Sequence, residues 1–421
     1  MEGWIRYMDR LKLPDPNPLP NAPVGVTQWW MLRRTPLFAA HHRLGGKLIE
    51  FGGWEMPVQY TSIMDEHLTV RSSAGIFDIS HMGEVLVSGD RAADFLNTLF
   101  TNDIRKLEVG FGQYTLMCNL DGGVVDDLYA YRLEPSVYLL IINASRIDPD
   151  IDWLSKQLSS FGQGGQVQLT NVSDSMGAVA IQGPRVVDFI DQCFSGASES
   201  AEDAHVCQSS QSPGIKRPSQ MVKNQIGQFD FRGTQVWVSR TGYTGEDGFE
   251  VVCDGRDIEA FWECVLQHGK PHGLKPAGLG ARDTLRTEVC YPLYGHELND
   301  QITPIEAGVG FFVALDKGEF NGRSRMASQK QGGTARKLIA FKLTEKGAPP
   351  RPGYPVWSVG PNPELIGEVC SGTQSPSLGI GIGMAFVATA HAKSQTAIQI
   401  EARGRKSAAI VVPKPIYRKP S

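Results

Sequence analysis

Apolar and polar positions alternate most legibly in the middle of the chain. In Phe249-Glu250-Val251-Val252 the period is two. This predicts a strand with Glu250 and Val252 on one face and Phe249 and Val251 on the other. The preceding run from Arg240, rich in Gly and Thr, predicts a tight turn in which Gly242, Gly245 and Gly248 supply unusual backbone angles. Over Gly278–Glu288 the period lengthens. Arg282, Leu285 and Val289 fall at i, i+3 and i+7, predicting a helix with Arg282 on its apolar stripe. A buried carboxylate and a buried guanidinium both need partners, and pairing with each other or with backbone would satisfy them without any ligand.

Asp90–Phe100 predicts a helix capped by Asp90, with Phe95, Leu96, Leu99 and Phe100 turned inward. Tyr114–Leu120 and Val124–Leu133 are β-rich runs flanking Asp121-Gly122-Gly123, a hairpin signal. Ser136–Asn143 is almost wholly apolar and predicts a central strand. Asp257–Gln267 predicts another helix. Ser195–Gln225 breaks the pattern with seven serines and few apolar residues, and reads as a mobile surface insertion. From Lys337 the segments become short, β-rich and punctuated by Gly and Pro: Lys337–Leu343, Glu364–Ser371, Ile380–Val387, Ala397–Ala402 and Ala408–Val412. That texture predicts a small all-β barrel or sandwich as a separate domain.

Length and composition narrow the class. A chain of 421 residues, 41% hydrophobic and 20% charged, fits a soluble globular protein of two to three domains. A net charge of −4 gives no basic excess for nucleic acid or an anionic membrane, and the longest apolar runs are strand-length. The seven cysteines are widely spaced without CxxC, which predicts reduced thiols in a cytosol-like compartment and no zinc site. The nine histidines make no HExxH, and His41-His42 reads as a surface pair. Pro14, Pro16, Pro18, Pro20 and Pro23 impose an extended linker, so residues 1–33 are expected to be a disordered extension without a secretory signal. The working domain is expected to begin near Arg34.

The hairpin arm carries Asp126 and Asp127. Neighbours on a strand point to opposite faces, so the two cannot form a carboxylate dyad with each other there. Pattern alone favours two solvated edge-strand acids.

Together these motifs resemble the aminomethyltransferase, or T-protein, family of the glycine cleavage system. The matching segments are Arg34-Thr35-Pro36-Leu37, Phe51–Tyr60 (FGGWEMPVQY), Phe77–Met82 (FDISHM), Gly122–Leu128, Gly242–Glu250, Gly278–Arg286, Leu293–Glu297 (LYGHE), Lys342–Gly347 and Ser371–Gly379 (SGTQSPSLG). Each is modest alone; their order and spacing from Arg34 to Tyr417 make the match specific. The resemblance implies an α+β, three-domain cloverleaf-like folate-binding fold with a C-terminal all-β barrel domain. Its expected parts are a folate-binding region over 34–330 and a barrel over 335–418. The implied reaction moves the one-carbon unit from an S-aminomethyl-dihydrolipoyl carrier, the H-protein, to tetrahydrofolate. The products are 5,10-methylenetetrahydrofolate, ammonia and the reduced carrier. Tetrahydrofolate is the co-substrate, with no metal and no flavin. The implied location is cytoplasmic, or the mitochondrial matrix in a eukaryote.

Carried over position by position, Asp127 matches the family's essential acid, Glu250 its pterin-binding acid and Arg282 its folate-binding arginine. Met82, Tyr114, Ile141, Asn143 and Tyr243 match its folate-pocket residues, and Tyr417 would close the channel from the last domain. The chain departs from the family pattern in its leader, in Ser195–Gln225, and at Thr287-Glu288-Val289-Cys290, where a more apolar stretch is expected. Three alternatives remain open at this point. One is a folate-dependent demethylase or the folate half of a flavin oxidase, although no GxGxxG follows a strand. Another is the iron–sulphur-maintenance relative, whose Lys-Gly-Cys-Tyr-x-Gly-Gln segment is replaced here by the cysteine-free Thr303–Lys317. The third is a folate-binding protein without catalysis.

Overall fold

The computed structural model describes residues 32–162, 164–195 and 215–419. The expected N-terminal extension therefore lies outside the described residues except for Leu32 and Arg33, as does the 196–214 part of the expected insertion. Arg33 pairs its backbone with Gly53 and Glu55. Beyond the short helix α1 (Phe38–Arg43), β1 (Lys47–Phe51) and β2 (Trp54–Gln59) form a hairpin. Helix α2 (Ile63–Ser72) starts at Ser62, whose side chain accepts from the Asp65 N–H, a regular N-cap. After β3 (Ala74–Asp78) and β4 (Gly83–Ser88) comes α3 (Ala92–Leu99). Its inward residues are those expected, but Arg91 occupies the N-cap position and Asp90 does not cap it.

The expected hairpin forms as β5 (Phe111–Cys118) and β6 (Val124–Glu134), followed by β7 (Val137–Ile142), α4 (Ile147–Ser160), β8 (Gln168–Asn171) and β9 (Met176–Gln182). Then come β10 (Ile226–Phe231), β11 (Thr234–Ser239), β12 (Gly248–Asp254), α5 (Ile258–Gly269), β13 (Leu274–Pro276), α6 (Leu279–Glu288) and α7 (Arg323–Gly332). The chain ends in β14 (Arg336–Leu343), β15 (Pro355–Ser358), β16 (Leu365–Gln374), β17 (Gly381–Ala388), β18 (Ala397–Ala402) and β19 (Arg405–Val412).

These strands build two mixed α+β units and a barrel. One sheet runs β10-β11-β12-β9-β3-β13, and a second runs β5-β6-β7-β4-β8, which makes β7 the central strand that its apolar run predicts. The last six strands close into a barrel in the order β14-β17-β16-β15-β18-β19. Closure satisfies every ladder edge, which a sandwich would leave open; β15 is too short to have been legible.

Three apolar layers follow from the alternation. Phe249 and Val251 of β12 pack with Phe261, Trp262 and Val265 of α5. On the second sheet, Leu128, Ala130 and Leu140 pack against Phe95 and Leu96 of α3 and Leu154 of α4. Between the two sheets lie Phe77, Leu86, Tyr131, Leu139, Trp237 and Val252, with Leu285 of α6. Each such side chain contributes about 1.5–3 kcal/mol of burial. The alternation at β12 thus holds, and Glu250 shares the inter-sheet face with Val252.

Two expectations need correction. His41 is fully buried, not on the surface: its Nε2 lies 2.8 Å from Asp78 Oδ2, and the Tyr60 hydroxyl lies 2.8 Å from its Nδ1. Only His42 is exposed. The end of the expected insertion is also not loose. Met221 is in the core, Ser219 bonds both oxygens of Asp191, and Arg240 holds the Ser219 and Met221 carbonyls.

Candidate active site

β6 stands between β5 and β7, so neither of its aspartates is on an edge. Asp126 faces the α4 side and is fully buried; Asp127 faces the inter-sheet space with Tyr129 and Tyr131 and is half-buried. The expectation of solvated acids is therefore wrong, because the covering layers come from segments remote in sequence. The Tyr114 hydroxyl donates to Asp127 Oδ2 at 2.8 Å. The Asn143 side-chain amide donates to Asp127 Oδ1 at 3.0 Å and to Asp126 Oδ1 at 2.8 Å. Asn143 sits at the end of β7, where it reaches round both faces of β6. Burial first, and then the negative charge of Asp126, push the Asp127 carboxyl up to about 7, against the bonds from Tyr114 and Asn143. Burial raises the Tyr114 hydroxyl well above its ordinary value, so it stays a donor. Its ring packs on Phe312 at 4.6 Å between centroids.

The second part of the site is a small inter-sheet cavity. Glu250, Met82, Ile141, Tyr131 and Glu84 line it. The Thr241 hydroxyl donates to Glu250 Oε2 at 2.6 Å and sets the carboxylate's plane. Thr241 belongs to the glycine-rich turn, whose geometry partly departs from expectation. Only Gly245 has a left-handed φ, +81°; at Gly242 a Cβ would meet Gln182 Oε1 at 1.8 Å. Gly242 is thus required by close approach to Gln182 and Gly248 by the Ile181 carbonyl and Gln182; the Gln182 side chain bonds the Thr241 carbonyl and the Thr244 hydroxyl.

Glu84 escaped the sequence reading. It is buried, its Oε2 has no hydrogen-bond partner, and burial pushes its carboxyl well above the usual range. Burial thus favours its protonated form. As pH rises past the unfolded value of about 4.3, only the unfolded chain releases that proton, so stability falls as pH rises toward the folded value. Glu84→Gln removes this titration. Its melting temperature relative to the unaltered protein is expected to be higher at pH 8 than at pH 5; parallel curves would refute a neutral Glu84.

Arg282 lies on α6 as expected, with its guanidinium 5.0 Å from the Tyr243 ring centroid. It does not hydrogen-bond Glu250, and its buried Nη1 has no partner. Burial pulls the Arg282 guanidinium down, and the Glu250 charge opposes that. The Tyr243 hydroxyl donates to the Pro292 carbonyl, and Tyr243 lies within the fields of both Asp127 and Arg282, between the two halves of the site. The Tyr417 ring lies under the Arg71 guanidinium at 4.6 Å, Arg71 Nη1 donates to the Thr244 carbonyl next to Tyr243, and the Tyr417 N–H donates to the Glu288 carbonyl.

Two family models match this chain: the GCVT N-terminal domain over residues 37–317 and the glycine cleavage T-protein C-terminal barrel domain over 336–418. The chain belongs to the glycine cleavage T-protein family. The aminomethyltransferase of Bacillus licheniformis is 44% identical over 390 residues, 92% of this chain and 100% of that protein. The one from a Geobacillus species is 44% identical with the same coverage. Aminomethyltransferase T of the glycine cleavage system from Bartonella henselae superposes with a TM-score of 0.80 at 29% identity, over 92% of this chain and 99% of that one.

Within this T-protein family fold, Glu288 is the hub that the sequence reading took for a mere departure. It is fully buried and accepts from Arg71, the Ser375 and Ser377 hydroxyls and the Ser377 N–H. His67 Nε2 lies 3.2 Å away. Burial pushes its carboxyl up, but His67, Ser375 and Arg71 outweigh that and hold it at about 2. These partners join α2, α6 and the loop after β16. Asp150 was missed as well, although a signal existed: Ile147, Asp150 and Leu154 fall at i, i+3 and i+7 on the buried stripe of α4.

Proposed function

We propose that this chain is an aminomethyltransferase that passes the one-carbon unit of an S-aminomethyl-dihydrolipoyl carrier to tetrahydrofolate. The observation that carries this reading is Asp127, a half-buried carboxyl poised near neutrality, clamped by Tyr114 and Asn143 beside the Glu250 cavity. The orphaned Arg282 Nη1 and the fixed Glu250 carboxylate suit a folate. A pterin presents a ring N–H beside an exocyclic amine, so one carboxylate accepts both in parallel. Met82 and Ile141 supply the apolar walls for its ring.

Asp127 orients the folate nitrogens and stabilises positive charge developing on the transferred carbon. As its carboxylate it also takes the proton released when N10 closes the ring. The carbon forms bonds to N5 and N10 and loses those to sulphur and to the amine, which leaves as ammonia. The carrier is the H-protein, in the reduced dihydrolipoyl form after transfer. Among the described residues no helix is long and apolar enough to cross a membrane. We place the reaction in the cytoplasm, or the mitochondrial matrix of a eukaryote.

Mixing purified protein with tetrahydrofolate and aminomethylated carrier is expected to give methylenetetrahydrofolate and ammonia in equal amounts, dependent on the carrier. Folate binding without product would favour a demethylase or a non-catalytic binder. Glu250→Ala is expected to weaken tetrahydrofolate binding by about 10- to 100-fold, the value of hydrogen bonds to a charged group. Unchanged affinity in a calorimetric titration would remove Glu250 from the pterin contact.

A further inference from the structure

We propose that Asp126 and Asp150 share a single proton and, through Asn143, hold Asp127 in its working position, which makes Asp150 a positioning residue. The proposal rests on Asp127 being the reacting acid. Asp150 is fully buried, and neither of its oxygens finds a donor. Arg146 Nε stands 3.6 Å from Oδ1, within ion-pair reach but too far for a hydrogen bond, and makes no hydrogen bond elsewhere. What Asp150 does meet is the Asp126 carboxyl, in hydrogen-bonding contact across the α4–β6 interface. Two bare carboxylates at such a contact repel, whereas one proton between them turns the contact into a strong bond.

The proton belongs on Asp150, because Asp126 is the member held as an acceptor. Its Oδ2 takes the Asn143 backbone N–H at 3.0 Å and its Oδ1 the Asn143 side-chain amide at 2.8 Å. Those two bonds decide which end of the amide faces the acids. The same Nδ2 therefore reaches Asp127 Oδ1 at 3.0 Å and the Asp127 carbonyl at 3.0 Å. Burial, and then the Asp126 charge, push the Asp150 carboxyl up, which favours its protonated, donating form. The other titratable groups facing this cluster do not supply the proton. Arg146 lies over the Tyr294 ring at 4.9 Å, and burial raises the hydroxyls of Tyr294, Tyr114 and Tyr243 above their ordinary values.

A side-chain amide at position 150 keeps the donor and the charge of the pair; a methyl removes the donor. Asp150→Ala is expected to lower kcat by about tenfold or more near neutral pH with the tetrahydrofolate Kd unchanged, and Asp150→Asn to restore kcat to within about threefold of the unaltered protein. Isotope-edited infrared spectroscopy at about pH 9, where Asp127 is ionised, is expected to show a protonated aspartate band that Asp150→Asn abolishes. If the alanine variant does not fold, the asparagine variant and the infrared band decide. The proposal falls if no protonated band is seen, if asparagine is as impaired as alanine, or if alanine turns over normally. The infrared result does not depend on the role of Asp127, so the two readings fail separately.

Discussion

Asp127→Asn is expected to reduce aminomethyl transfer by about 10²- to 10⁴-fold while leaving tetrahydrofolate affinity within about threefold. Asparagine has the same shape and keeps an oxygen for the Tyr114 hydroxyl, which donates at 2.8 Å. On the proposed mechanism it loses the charge that meets the cationic transition state and the basicity that takes a proton. The pH profile gives a second check. Burial and the Asp126 charge push the Asp127 carboxyl up to about 7, so the carboxylate forms only as pH rises through that value. Hence kcat/KM of the unaltered protein rises with pH up to about 7, and the residual activity of the variant lacks this limb. Wild-type turnover in the variant would remove Asp127 from the chemistry.

The other large effect is on stability. Glu288→Ala is expected to cost about 3–5 kcal/mol, because it leaves the Arg71 guanidinium buried without its main partner. The glutamine variant separates charge from hydrogen bonding. The folded value of Glu288, about 2, lies below the unfolded value, so its contribution is present in full above about pH 4.3 and fades as pH falls toward 2. The stability gap between Glu288→Gln and the unaltered protein, read from urea unfolding, should therefore narrow between pH 6 and pH 3. A gap independent of pH would mean that the ionised carboxylate is not what holds α2 and α6 to the barrel loop.

Elements whose period is local were legible in the chain. The hairpin, the α6 stripe with Arg282 and the facing of Glu250 all follow from alternation and turn chemistry. The barrel was readable as β texture, while its closure depends on pairing between β14 and β19, which no local pattern encodes. The residues of the candidate site were named by the ordered motifs, but the side chains that support them were not. Glu288 reaches Ser375 and His67, remote positions whose partnership has no signature along the chain. Asp126 and Asp127 were misjudged for the same reason, since burial of β6 depends on its neighbours in the sheet and on α4. His41 and His42 are adjacent on a single short helix, one inside and one outside, and nothing local says which.

The two adjacent aspartates of β6 are not a spare copy of one another. A one-residue insertion or deletion in the turn before them would send Asp126 toward the inter-sheet face and drive Asp127 into the apolar layer of Leu128 and Ala130. The chain should therefore tolerate length variation in its remote loops and almost none between Gly122 and Asp127. Indel scanning of this hairpin would show a narrow intolerant window, set by the geometry of the strand more than by the identity of any one side chain.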